Sequence, residues 1–208
     1  KTVQFHNKRG CKKCVSAGRF TKPFKDIVRD LYASEIAYLD DFFGRFIQQL
    51  KAQKRYANAI IVFMSDHGEG LADHHDFIGH GEKHMYEEQI KVPLIIKPPQ
   101  NSALARGERR NALVSNLDIL PTLLKMCNLP TDKELAGKSL LPLMHTGNDK
   151  AVHDYVISEN YAAKALAVRQ KAYKYILHYA DNKVHEWLFK LDKDPTEQHN
   201  LANKAQQD

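Results

Sequence analysis

Residues 60–70 read Ile-Ile-Val-Phe-Met-Ser-Asp-His-Gly-Glu-Gly. The run Ala59–Met64 is apolar without alternation, which predicts a strand covered on both faces. A polar loop rich in Gly and His follows it directly. In α/β sheets the loop leaving the carboxyl end of a strand is where ligands bind. There Asp66 offers a hard, charged oxygen and His67 an imidazole nitrogen, and both can reach one cation. Gly68 would let the chain turn sharply away. The plainer alternative is a capping Asp and a partly exposed His in an ordinary loop.

The surroundings of this tetrapeptide weigh towards chemistry. Of eleven histidines, five (His67, His74, His75, His80 and His84) fall between residues 67 and 84. The stretch also holds Glu69, Asp73, Asp76 and Glu82. His80, followed by Gly81, could bind a metal or hydrogen-bond an anionic ester. His80 and His84 are spaced as a zinc-binding pair would be on a helix. Lys83 could offer a point charge to an anion.

Outward from the loop, the 3.6-residue recurrence of Ile27, Leu31, Ile36, Leu39, Phe42, Phe43, Phe46, Ile47 and Leu50 predicts a helix over 26–50. A short helical turn is expected at Tyr86 to Ile90. Val92 to Ile96 predicts a second buried strand, stopped by Pro98-Pro99. Leu117 to Cys127 predicts a helix with Pro121 near its first turn, capped by Asn116 or Ser115. Cys127 is expected to be a buried thiol. After about residue 150 the pattern changes to short aromatic or alternating runs at 152–158, 165–168, 173–179 and 186–191. These predict a small antiparallel sheet, with a last helix after Asp194-Pro195. The expected division is therefore 1–150 and 151–208.

The 208 residues, 43% hydrophobic and 27% charged, have a globular balance. No apolar run approaches the roughly 20 residues that span a bilayer. The net charge is +6, but residues 1–25 hold eight Lys/Arg and no acid, leaving the remainder at −2. That distribution does not suit a nucleic-acid binder. Cys11 and Cys14 form a lone CxxC that fits half a zinc site, a redox pair or a disulfide. The chain opens on Lys1, which leads us to expect a processed product or a piece of a longer protein.

Several segments, in order, resemble the sulfatase family of the alkaline-phosphatase superfamily. They are Tyr32–Asp40, Ile60–Gly70, His80-Gly81, Tyr86-Glu87-Glu88, Val92–Ile96, Leu117–Leu123, Gly137–Leu140 and Leu188–Leu201. The resemblance implies an alkaline-phosphatase-like α/β/α sandwich with a small antiparallel C-terminal subdomain. It implies that Asp66 and His67 are metal ligands, and that His80, with Lys83 second, contacts the bound sulfate or phosphate. The implied cofactor is a divalent metal: calcium for a sulfatase, zinc or manganese for a phosphate-active relative.

The family's nucleophile motif, Cys/Ser-x-Pro-x-Arg, does not occur in the chain. The expectation is thus the C-terminal portion of a sulfatase, inactive alone, whose partners are its N-terminal part and a sulfate-ester small molecule or saccharide. Relatives suggest a periplasmic, secreted or membrane-anchored protein. Two alternatives stand beside this. One is a phosphoethanolamine transferase or phosphodiesterase of the superfamily. The other is a non-catalytic metal-binding module.

Overall fold

The computed structural model describes residues 22–74, 77–81, 85–148 and 151–202. Cys11, Cys14, His75, Lys83 and His84 lie outside these. The first element is a 31-residue helix, α1 (Lys22–Ala52), which contains the predicted 26–50. It closes on Lys54, whose φ of 59° turns the chain so that Arg55 and Tyr56 both donate to the Leu50 carbonyl. Phe43 packs α1 on the strand β1 (Ile61–Met64), with ring centroids of Phe43 and Phe63 5.2 Å apart. Arg29 reaches Asp73 at 2.8 Å and ties the helix to the loop beyond that strand. Much of the apolar surface of α1 stays open: Ile27, Ile36, Leu39, Phe42 and Phe46 are about half exposed. No helix among the described residues is long and apolar enough to cross a membrane.

A two-residue hairpin pair follows β1, β2 (Gly70–Leu71) with β3 (Ile78–Gly79). Next come the single turn α2 (Glu87–Ile90) and the strand β4 (Leu94–Lys97). β4 pairs antiparallel with β1, Ile61 opposite Lys97 and Met64 opposite Leu94. The expected burial of both strands on two faces is not found. Ile95 is 62% exposed and Met64 37%, while Phe43 of α1 packs against Phe63 of this pair.

Gly68 also has a different role from the one expected. A Cβ there would lie 2.0 Å from the Glu88 carbonyl oxygen, and its N–H donates to the Gln89 carbonyl at 2.7 Å. The glycine permits a close approach of two backbones, and no left-handed turn is involved.

Beyond β4, a 3₁₀ turn (Asn116–Asp118) leads into α3 (Ile119–Met126). Ser115 is the cap, in a reciprocal capping box with Asp118. The fully buried Asp118 carboxylate also accepts the Lys138 N–H at 2.7 Å and meets His153 Nε2 at 2.9 Å. Cys127, expected inside, is exposed, since α3 ends at Met126 and the chain turns outward at Asn128 with φ 53°.

The last part is an antiparallel sheet of β5 (Tyr155–Asn160), β6 (Ala165–Gln170), β7 (Tyr173–Ala180) and β8 (Lys183–Lys190), in that order. Its inner face carries Ala165, Ala167, Ile176 and Phe189, which bury Met85 and Tyr86 of the segment entering α2. Lys174 shares that apolar face, in register with Phe189, and is fully buried. Its partner is Glu197. The Lys174 Nζ to Glu197 Oε1 distance is 2.7 Å, an ion pair without hydrogen-bond geometry. Glu197 Oε2 accepts the Glu87 N–H at 2.6 Å, and Lys174 also faces Glu87 Oε1 at 3.4 Å. Burial pushes the Glu197 carboxyl up and the Lys174 ammonium down, each resisted by the other's charge.

The helix expected after Asp194-Pro195 is absent among the described residues. Glu197 has a φ of 53°, which no right-handed helix accommodates, and Asp194 instead accepts the N–H groups of Gln198 and His199.

His74, although in the histidine cluster, is a core residue. It stacks on Tyr86 at 3.8 Å, meets Glu88 Oε1 at 2.7 Å and reaches the Glu197 carbonyl at 3.2 Å. Burial alone would lower its pKa, but Glu88 and Glu197 raise it above the ordinary 6.5.

Two predictions follow from this buried network. Lys174→Met strands the Glu197 charge, so urea denaturation at neutral pH should show a loss of about 3 kcal/mol. Adding Glu197→Gln should restore at least half of that loss. A histidine with a raised folded-state pKa contributes stability in full below its unfolded value, and loses it as pH rises through the folded value. Glu88→Gln should therefore lower Tm more at about pH 5.5 than at about pH 8.5. An equal or larger loss at the higher pH would refute the pairing.

Candidate metal and ester site

The site is built where β1 ends. Its first residue, Ser65, is fixed from two sides: its carbonyl accepts Asn116 Nδ2 at 3.3 Å, and its hydroxyl donates to the His67 carbonyl at 2.6 Å. The next carboxylate, Asp66, points into solvent with its side chain 85% exposed. The His67 N–H donates to Asp66 Oδ1 at 3.0 Å. That bond comes first among the causes that hold the Asp66 carboxyl below its ordinary 3.8, with the His67 ring adding to it. Asp66 is thus a ready anionic ligand at neutral pH.

His67 is oriented by its own chain. Nδ1 lies 2.8 Å from the Gly68 carbonyl, which can only accept, so Nδ1 carries the proton. Nε2 is left with a lone pair and sits 3.7 Å from Asp66 Oδ2. Two ligands that each lie about 2.0–2.5 Å from one ion are about 3–4 Å apart. A backbone carbonyl on the far nitrogen is also the usual way a metal-binding imidazole is held. The pair therefore fits a divalent cation.

Two further groups approach His67. Gly70 pairs with Gly79 in the small hairpin, so the residues just outside that pair, Glu69 and His80, face each other. His80 Nδ1 donates to Glu69 Oε2 at 2.9 Å, and the rings of His67 and His80 lie 4.0 Å apart. Ligand atoms of His67, Glu69 and His80 fall within 4.8 Å of one another, a possible metal-binding group.

Sequence reading picked out Asp66, His67 and His80; the structure places His67 beside each of the other two, 3.7 Å from Asp66 Oδ2 and with its ring 4.0 Å from that of His80. It gave Glu69 no role of its own. The available signal was its place two residues after His67, which in an extended segment returns to the same side. Lys83 and His84 lie outside the described residues. His74 is drawn into the core and Asp73 onto Arg29, so neither belongs to the site.

Comparison with known proteins gives a consistent picture. The family model "Sulfatase" matches residues 4–129, and "N-sulphoglucosamine sulphohydrolase, C-terminal" matches 75–208. Arylsulfatase K of Gallus gallus is 32% identical over 197 residues, which cover 90% of this chain and 36% of that protein. The chain thus spans about a third of the length of such relatives. Among solved structures, BT4656 in complex with its substrate D-glucosamine-2-N,6-O-disulfate superimposes with a TM-score of 0.71 at 26% identity. That match covers 82% of this chain and 35% of the other. The phosphonate monoester hydrolase of Agrobacterium radiobacter gives 0.75 at 26% identity, covering 89% and 39%. The fold is the alkaline-phosphatase-like α/β one of these structures. Sulfatases are in general metal-dependent, in keeping with the donor groups gathered after β1. With both family models each matching more than half of its residues, the chain belongs to the sulfatase family.

Proposed function

We propose that this chain supplies the metal-holding and ester-facing part of a sulfatase that hydrolyses sulfate esters of saccharides. The observation that carries this reading is the placement of His67 at the carboxyl end of β1, with its Nε2 3.7 Å from Asp66 Oδ2 and its ring 4.0 Å from that of His80. The similarity to BT4656, solved with its substrate D-glucosamine-2-N,6-O-disulfate, supports the substrate class.

Each residue has a part. Asp66 and His67 would hold the cation, Asp66 by charge and His67 by Nε2, and a cation there would supply Lewis-acid polarisation of a sulfate oxygen. His80, with Nδ1–H committed to Glu69, would meet the ester or its leaving oxygen as a donor through Nε2–H, that is, as the doubly protonated ring. Glu69 orients that ring. The 208 residues include no Cys/Ser-x-Pro-x-Arg motif, so the nucleophile is not among them. We infer that the chain alone binds metal and anion without turning substrate over.

A second reading has its own support. The set His67, Glu69 and His80 is richer in nitrogen than a calcium site, and the phosphonate monoester hydrolase is a structural neighbour. These favour zinc or manganese and phosphoryl chemistry. Calorimetric titration of the chain with Ca²⁺ and with Zn²⁺ separates the two. On the sulfatase reading Ca²⁺ binds, and Asp66→Ala weakens it at least about tenfold, while Glu69→Gln changes it by less than about threefold. Tight Zn²⁺ binding that needs Glu69 and ignores Asp66 would transfer the site to the second reading. Ca²⁺ binding unchanged by Asp66→Ala would refute the ligand assignment.

A further inference from the structure

The β5–β6 hairpin reaches back to the site. Asn160, the last residue of β5, donates from Nδ2 to the Gly81 carbonyl at 3.1 Å, one residue from His80. Its Oδ1 accepts the Ala163 N–H at 3.1 Å, so the same side chain also shapes the turn. Lys164, with a φ of 50°, closes the turn by donating its N–H to the Tyr161 carbonyl at 3.1 Å. Its carbonyl accepts the Tyr179 N–H at 3.0 Å, and its ammonium lies over the Tyr179 ring. The tip is thus fixed at both ends.

This fixed tip presents Tyr161, 89% exposed, beside a cavity of about 490 Å³ lined by Glu159, Asn160, Tyr161, Lys164 and Leu166. A single exposed tyrosine is ordinary on a protein surface. Here it directly follows the residue that joins the hairpin to the His80 loop, and it shares a cavity with a carboxylate, an amide and an ammonium. An aromatic face covers the C–H face of a pyranose, a carboxylate bonds its hydroxyls, and the ammonium meets an anionic substituent.

We propose that this hairpin tip recognises the saccharide that carries the ester, with Tyr161 as its contact and specificity residue and Asn160 as the positioning residue that sets it against His80. The inference rests on the reading of the Asp66–His67–His80 site as a sulfate-ester site. A free sulfate would engage that site alone, whereas a sugar sulfate would engage both.

The test compares inorganic sulfate with glucosamine 6-sulfate, titrated into the Ca²⁺-loaded chain. The expected result is about tenfold tighter binding of the sugar sulfate, an advantage that Tyr161→Ala abolishes while inorganic sulfate binding stays unchanged. Asn160→Ala should erode the same advantage at unaltered Tm, a pattern that mere structural damage would not give. Equal binding of both ligands, or an advantage that survives Tyr161→Ala, would overturn the hairpin proposal and leave the site standing. Failure of either ligand to bind would overturn the reading of the site, and the hairpin proposal with it.

Discussion

The arrangement depends on one buried charge. Lys174 occupies an inward position of β7, between residues that form an apolar face, and an ammonium there must be neutralised. The nearest solution is Glu197, 123 residues beyond His74 in the chain and equally buried. To deliver it, the C-terminal segment gives up helical geometry at Glu197 and is held by Asp194. The same carboxylate takes the Glu87 N–H, and its residue's carbonyl meets His74. The four-stranded sheet, α2 and the loop after β2 are thereby locked to one point. A buried ion pair is weak evidence for net stability, but it admits few alternative packings.

That lock also explains the shape of the site. His80 and Gly81 lie between two anchored stretches: His74 on one side, and Tyr86 with Glu87 and Glu88 on the other. His80 lies against His67, and Gly68 lets the Glu88–Gln89 backbone pass beside it within hydrogen-bonding distance. A side chain at residue 68 would collide with that backbone. The rigid elements thus lie behind the site, and the groups with free lone pairs lie in front of it.

The local patterns of the sequence survive in the structure where they reflect backbone geometry. The period of α1, the four runs of the C-terminal sheet, and Ser115 as a cap all follow from spacing and residue type. Asp66, His67 and His80 were legible because histidines and acids concentrate in one short stretch after an apolar run. Long-range pairing was not legible. Nothing near Glu197 announces that its side chain turns inward, since the reason is Lys174 on another strand. Asp194-Pro195 reads locally as a helix start for the same reason. Glu69 was hidden in a crowd of acids, and only the Gly70–Gly79 pairing shows that it faces His80. Cys127 misled because an apolar run was followed one residue too far.

Exposure on the first half of the chain carries a final argument. One face of the C-terminal sheet packs on Met85 and Tyr86, whereas α1 leaves eight large hydrophobic side chains 40–63% exposed, and Ile95 on β4 is 62% exposed. Such surface is costly to leave in water, at roughly 25 cal/mol for each Å². A helix periodic enough to be recognised from sequence, facing strands apolar enough to expect cover on both sides, has the composition of an interior layer. The site lies at the edge of that layer, at the end of β1. A layer laid over β1 as far as its carboxyl end would also reach Asp66 and His67. Were such a cover the part of a sulfatase that brings the nucleophile, a single association would both bury the apolar layer and complete the site.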